Sequence, residues 1–293
     1  MKFKFWGVRG SIATPGPSTV IYGGNTTCIE IRTDNDELII LDAGTGIHRL
    51  AQELLKQASI NAHIFMTHTH WDHIQGLPFF SPIFIAGNQI KIYGGLDPVT
   101  GQGIERALNV QLQYSYFPIR EVELNASIEY KTIKPGELIT IGSATITPIL
   151  LNHPVLNLGY RIDCDGKSIF FTGDYEPLYN IYQANNREYA NYQSFIDEKQ
   201  QEITLAVKDV DALIVDSSYT TVEYISKKGW GHGTYDSAIR LASLANAKKL
   251  FFTHHEPTRS DKQLELIYRQ LLKNNPNLTY EIMLAKEGIE ILL

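Results

Sequence analysis

Residues Thr67 to His73 read Thr-His-Thr-His-Trp-Asp-His, so three histidines and one aspartate fall within six positions. The residues before them, Ala-His-Ile-Phe-Met at 62–66, are mostly apolar and read as a short buried strand. Gly76 and Pro78 break the pattern again just after. Four ligand-type side chains at a strand end demand a sheet that presents them into a cleft. Neutral imidazoles with a carboxylate suit zinc, and manganese or iron less selectively. A polar loop that is merely rich in histidine is the poorer explanation, because three of the chain's nine histidines sit here.

The same kind of residue recurs past other strand-like runs. Asp42 opens Asp-Ala-Gly-Thr-Gly after the run 37–41, ahead of an amphipathic helix with Ile47, Leu50, Leu54 and Leu55 on one face. His153 follows the apolar run 144–151 and Asp174 ends Phe-Thr-Gly-Asp, while a further strand at 211–215 runs into Asp216-Ser-Ser-Tyr with no role assigned to it. His254 and His255 follow a strand at 249–253, and Gly-His-Gly-Thr, with His232, opens an amphipathic helix at 235–245. A lone aspartate before a glycine-rich turn can simply cap the next helix. The recurrence gives these positions weight. Asp165-Gly166 joins 159–164 to 167–172 as a hairpin. Strands are also expected at 2–6, 27–32, 90–93, and near 278–283 and 288–292, with helices at 103–111 and 261–272. Strands and helices in two halves around one site suggest an α/β fold, an αββα sandwich.

His68-Thr-His70-Trp-Asp72-His73 matches the His-x-His-x-Asp-His signature, and the chain resembles the metallo-β-lactamase superfamily of binuclear metallohydrolases over nearly its whole length. The resemblance implies a four-layer αββα fold and two divalent ions, Zn2+ first, with Mn2+ or Fe2+ as alternatives. It assigns His68, His70 and His153 to one ion, Asp72, His73 and His254 to the other, and Asp174 as the bridge. Asp42 would buttress the metal loop. His254 is preferred to His255 because Thr-His directly follows the apolar strand, like the Leu-Thr-His ending of the tRNase Z group; His255 would stand behind it. Gly-His-Gly-Thr is similar to the Gly-His-Ser-Thr of the phosphodiesterase branch, with Gly in place of Ser. There the histidine assists phosphoester cleavage, so His232 and Asp72 are the expected catalytic residues. An imidazole near a helix start can donate to a phosphoryl oxygen or protonate the leaving alkoxide, and the helix end favours an anion.

The remaining features narrow the substrate. The opening loop, 7–26, is twenty residues dense in Gly, Pro, Ser and Thr, a length that is often functional. It resembles that of small bacterial phosphodiesterases, and Arg9 within it is a candidate phosphate contact. Tyr114 and Tyr116 are candidates to stack on a base. Residues 175–204 read as a helical insertion, a lid or a dimer contact, within one domain spanning 1–293. Net charge is −6, and neither insert is basic, which disfavours gripping structured RNA. Two cysteines in strand-like runs suit core packing in a reducing cytoplasm. No apolar run approaches the ~20 residues of a membrane span. These readings point to a cytoplasmic enzyme, a homodimer by resemblance. It would open a small phosphodiester, foremost a cyclic nucleotide, by water activated at the metals with His232 assisting. A tRNase Z-like endoribonuclease, a lactone or thioester hydrolase, and a non-enzymatic sensor are the alternatives.

Overall fold

The computed structural model describes all 293 residues. Fourteen strands form two seven-stranded mixed sheets. The first contains β1 (Lys2–Gly7), β2 (Cys28–Arg32), β3 (Leu38–Leu41), β4 (Asn61–Phe65), β5 (Gln89–Gly94) and β6 (Ser127–Thr132). The second contains β7 (Ile139–Ile141), β8 (Ala144–Leu151), β9 (Asn157–Cys164), β10 (Lys167–Phe171), β11 (Ala212–Asp216), β12 (Lys249–Thr253) and β13 (Glu281–Leu284). The last strand, β14 (Glu290–Leu292), crosses back to pair antiparallel with β1 at the edge of the first sheet. The helices are α1 (Gly46–Leu54), α2 (Trp71–Ile74), α3 (Ile104–Gln111), α4 (Tyr189–Ala206), α5 (Thr221–Tyr224), α6 (Tyr235–Ala245) and α7 (Asp261–Asn274).

Burial sorts the strand residues into three apolar layers. Phe3, Phe5, Ile39, Leu41, Ile146, Phe171, Ile214 and Phe251 meet between the sheets. Leu38, Ile40, Ile64 and Ile92 face the other way, onto α1 and α3. Leu213, Val215, Leu250 and Phe252 face α6 and α7. Central strands buried on both faces must be apolar at every position, so β3 reads Leu-Ile-Ile-Leu without alternation. The architecture is therefore helix, sheet, sheet, helix. Cys28 and Cys164 are buried free thiols, and no helix is long and apolar enough to cross a membrane.

Each sheet changes from antiparallel to parallel pairing at a strand that is followed by a buried aspartate. In the first sheet β3 pairs antiparallel with β2 and parallel with β4, and Asp42 follows it. In the second, β10 pairs antiparallel with β9 and parallel with β11, and Asp174 lies three residues past it. Parallel neighbours point their carboxyl ends the same way, so the loops after β3, β4, β10, β11 and β12 gather at one edge of the sandwich. Two details differ from the expected elements. Helix α4 fills only the second part of 175–204, since 175–188 is irregular. The last strands are shorter than expected and lie in different sheets.

Candidate metal centre

Asp42 begins the site. It leaves β3 with φ of 60°, a left-handed conformation that aspartate tolerates better than most residues. That turn aims its carboxylate across the end of β4, where one oxygen accepts the Thr67 N–H at 2.7 Å and the other accepts Nδ1–H of His73 at 2.7 Å. With Nδ1 so engaged, His73 presents Nε2 inward. That nitrogen is fully buried and has no hydrogen-bond partner.

Nine side chains converge on this point in three overlapping groups; two of them hold the seven expected ligands, and the third joins Asp174 and His254 to Asp216 and His232. In the first, His70 Nδ1 lies 3.0 Å from His68 Nε2 and 3.1 Å from His153 Nε2. Asp174 Oδ2 stands 3.6 Å from His68 and 3.8 Å from His153. In the second, Asp174 Oδ1 stands 3.1 Å from both His73 Nε2 and His254 Nε2. Asp72 Oδ2 completes it, 3.3 Å from His254 and 3.5 Å from His73. Asp174 thus offers one oxygen to each of these two groups. Its Oδ1 is buried with no hydrogen-bond partner, as is His73 Nε2, and such groups are costly unless a cation or proton satisfies them. The donor set fits two divalent ions.

Electrostatics divide the groups in the same way. Burial pushes His68, His70 and His153 below the usual imidazole value, so they are neutral nitrogens, the form a metal binds. For His73 burial acts in the same direction, but Asp174, Asp72 and Asp42 outweigh it and raise the ring well above the usual imidazole value. Asp174 is held far below the carboxylate range: burial opposes this, and His254, His73, His232 and His68 overcome it.

The opening loop closes over the second group. The Ser11 N–H donates to Asp72 Oδ2 at 2.7 Å. Gly10 lies flat on His254, since a Cβ there would stand 2.2 Å from its ring. Ser218 Oγ lies 3.0 Å from His254 Nδ1 and donates to its carbonyl at 2.8 Å. His255 turns away, donating Nε2–H to the Ala285 carbonyl at 2.9 Å, and burial pushes it down to about 3. Arg9 corrects an expectation. It is fully buried, and its guanidinium donates to the carbonyls of Gly23 and Arg259 at 2.8 and 2.6 Å and faces Asp261 at 3.6 Å. It braces the loop against the segment after His254 instead of meeting a phosphate.

His232 sits beside the cluster, two residues ahead of the Thr234 cap of α6. Its Nδ1–H donates to Asp216 Oδ2 at 2.8 Å, and its ring stacks 4.7 Å from that of His254. Burial works against its protonation, but Asp216 and then Asp174 outweigh it and His232 is pushed up to about 9. Asp216 is itself buried, accepting also from the N–H groups of Ser218 and Tyr175. The loop is pinned by Glu176, whose carboxylate accepts the Tyr224 hydroxyl at 2.5 Å and the Gly229 and Gly231 N–H groups at 2.8 Å. Gly231 in turn accepts Nδ1–H of His153 at 2.9 Å.

Asp216 and Glu176 are absent from the expected site. For Asp216 a signal existed, because it ends β11 much as Asp42 follows β3. Glu176 has no comparable signature. Tyr114 and Tyr116 are 74% and 68% exposed in the loop after α3, and neither makes a hydrogen bond or ring contact to the cluster. They stand apart from the metal-ligand cluster, as exposed side chains of that loop.

Fold and cluster together define a metal-dependent hydrolase. Residues 38–255 match the beta-lactamase superfamily domain, and the chain belongs to that superfamily. It is 29% identical over 254 residues to the ribonuclease Z of Acaryochloris marina, covering 75% of this chain and 77% of that one. Among solved structures it resembles the metallo-beta-lactamase fold protein YhfI from Bacillus subtilis (TM-score 0.68, 19% identity, 99% of both chains). It also resembles yeast PDE1 (TM-score 0.62, 17% identity, 100% of this chain and 99% of that one).

Proposed function

We propose that this hydrolase cleaves small phosphodiesters, with 3′,5′-cyclic nucleotides as the substrate class. His68, His70 and His153 would hold one divalent ion, and Asp72, His73 and His254 the other, with Asp174 shared; the imidazole-rich set suits zinc first. Ions held there would supply Lewis acidity toward a phosphoryl oxygen and a water nucleophile at neutral pH. Asp42 fixes the His73 ring, and the Ser11 N–H fixes Asp72.

The observation that carries the phosphodiester reading is the His232–Asp216 pair. Cleaving a phosphodiester expels an alkoxide, which needs a proton. Asp216 holds Nδ1–H of His232 at 2.8 Å, which selects the ring orientation and stabilises the protonated ring. Nε2 has no partner in the chain and carries that proton to the leaving oxygen. A lactone or thioester needs this help less. The relative named ribonuclease Z supports phosphodiester chemistry and favours RNA as the rival substrate. The chain's net charge of −6 weighs against that rival. The test is turnover of zinc- or manganese-loaded protein on 3′,5′-cyclic nucleotides beside a precursor tRNA at the same salt. Opening of the cyclic nucleotides with the tRNA intact is expected; cleavage of the tRNA alone overturns the proposal.

A further inference from the structure

We infer that the aromatic subsite for the substrate's base lies in the cleft between residues 176–192 and Gly229. This inference rests on the phosphodiester reading for its ligand and on separate residues for its site. His153 forms one wall of the cleft, with Asn152, Glu176, Tyr179, Tyr192 and Gly229 around it. His153 also lies 3.1 Å from His70 at the metal cluster, which places this cleft next to the cluster. The volume is about 320 Å³. That is the lower end of the roughly 300–1,000 Å³ range of small-molecule pockets, which fits one nucleotide and not a strand.

The lining has the chemistry of base recognition. Tyr179 and Tyr192 are half-buried, and neither hydroxyl makes a hydrogen bond within the chain. Tyr192 is set by edge packing on Tyr182 at 5.5 Å and by Phe195 at 5.9 Å, so its ring costs little to order on binding. Asn152 gives Nδ2–H to the Glu176 carbonyl at 2.9 Å, which leaves its Oδ1 as an acceptor for an exocyclic amine. Gly229, with φ of +85°, keeps the opposite wall bare; a Cβ there would stand 3.2 Å from the Tyr179 hydroxyl. Its N–H is tied to the buried Glu176, so this wall is fixed. Lys228 sits 3.8 Å over the Tyr179 ring and Lys227 3.8 Å over Trp230. In an acidic chain these place two cations at the rim, where they oppose the charge of an incoming phosphate.

The test compares adenosine monophosphate with ribose 5-phosphate, which lacks the base, by calorimetry on the metal-loaded protein. Wild type is expected to prefer the nucleotide. Tyr179→Ala and Tyr192→Ala should each weaken nucleotide binding roughly 5- to 150-fold and bring the two ligands toward equal affinity, while Tyr→Phe at either position retains most of the preference. Intermolecular NOEs from adenine protons to Tyr179 or Tyr192 in the wild-type protein give a reading that needs no variant to fold. Unchanged preference in both Ala variants, or NOEs only to Tyr114 or Tyr116, overturns the inference even if cyclic nucleotides are hydrolysed. Tyrosine-dependent binding of RNA ends but not of the mononucleotide also overturns it. Collapse of the preference in a protein that opens no phosphodiester would uphold the subsite and sink the activity.

Discussion

Asp42 follows β3 in the first sheet and Asp216 ends β11 in the second, and each accepts Nδ1–H of a histidine, at 2.7 and 2.8 Å. The pairs differ in what the other ring nitrogen meets. His73 is sealed, with Nε2 aimed at Asp174 and Asp72. The His232 side chain keeps 13% of its surface open, and Nε2 makes no hydrogen bond within the chain. The same carboxylate–imidazole unit therefore serves two ends. On the function proposed above, the unit enclosed among carboxylates would serve as a ligand and the one left open beside them as a proton donor.

Breaking both histidines gives the largest contrast. His73→Ala should lose at least one ion per chain by elemental analysis, and with it the activity. His232→Ala should keep its metal while kcat on phosphodiesters falls roughly 10²–10⁴-fold. Metal loss in the second variant would make His232 a ligand and erase the distinction.

The carboxylates sharpen the contrast at smaller cost. Asp42→Asn should weaken metal binding roughly 10–100-fold and leave the loaded enzyme's pH profile in place. Asp216→Asn should instead lower kcat with metal content intact. Its carboxylate raises the His232 value, so removing the charge lets the ring deprotonate sooner, and the alkaline limb of kcat moves to lower pH. A limb that stays put in Asp216→Asn would separate His232 from the proton transfer.

The smallest functional effect concerns Arg9, which serves both halves alike. Arg9→Ala should cost about 3–5 kcal/mol of stability, the usual result of breaking a buried ion pair, visible as a lower Tm. KM should change little while the protein stays folded. A raised KM with an unchanged Tm would return Arg9 to the substrate.

How far the sequence discloses the site depends on how local each part is. His68, His70, Asp72 and His73 share one loop, and a single strand suffices to place them. His153, Asp174 and His254 are legible because each follows an apolar run, and parallel strands deliver such ends to one edge. Asp216 occupies the same kind of place, yet its partner is 16 residues on, and an aspartate there reads equally as a helix cap. Arg9 misleads for the opposite reason. A guanidinium in a glycine-rich loop looks like an anion contact, and what buries it is contributed about 250 residues away. For the exposed tyrosines at 114 and 116, aromatic content marks a loop without giving the direction it faces.

The Arg9 brace also bears on the order in which the molecule can be made. Strand β1 is flanked by β2 and β14, and the opening loop is fastened to residues 255–261. A chain still on the ribosome can carry all the donors of the Thr67–His73 loop and yet lack His254, the partner of Arg9 and the last edge of its first sheet. Domains tend to fold as units during synthesis, and here the earliest residues made wait for nearly the latest. The donor group that includes Asp72 and His254 is accordingly complete only when the chain is nearly finished, and premature termination before residue 254 leaves a half-built nest of histidines with no opening loop closed over it.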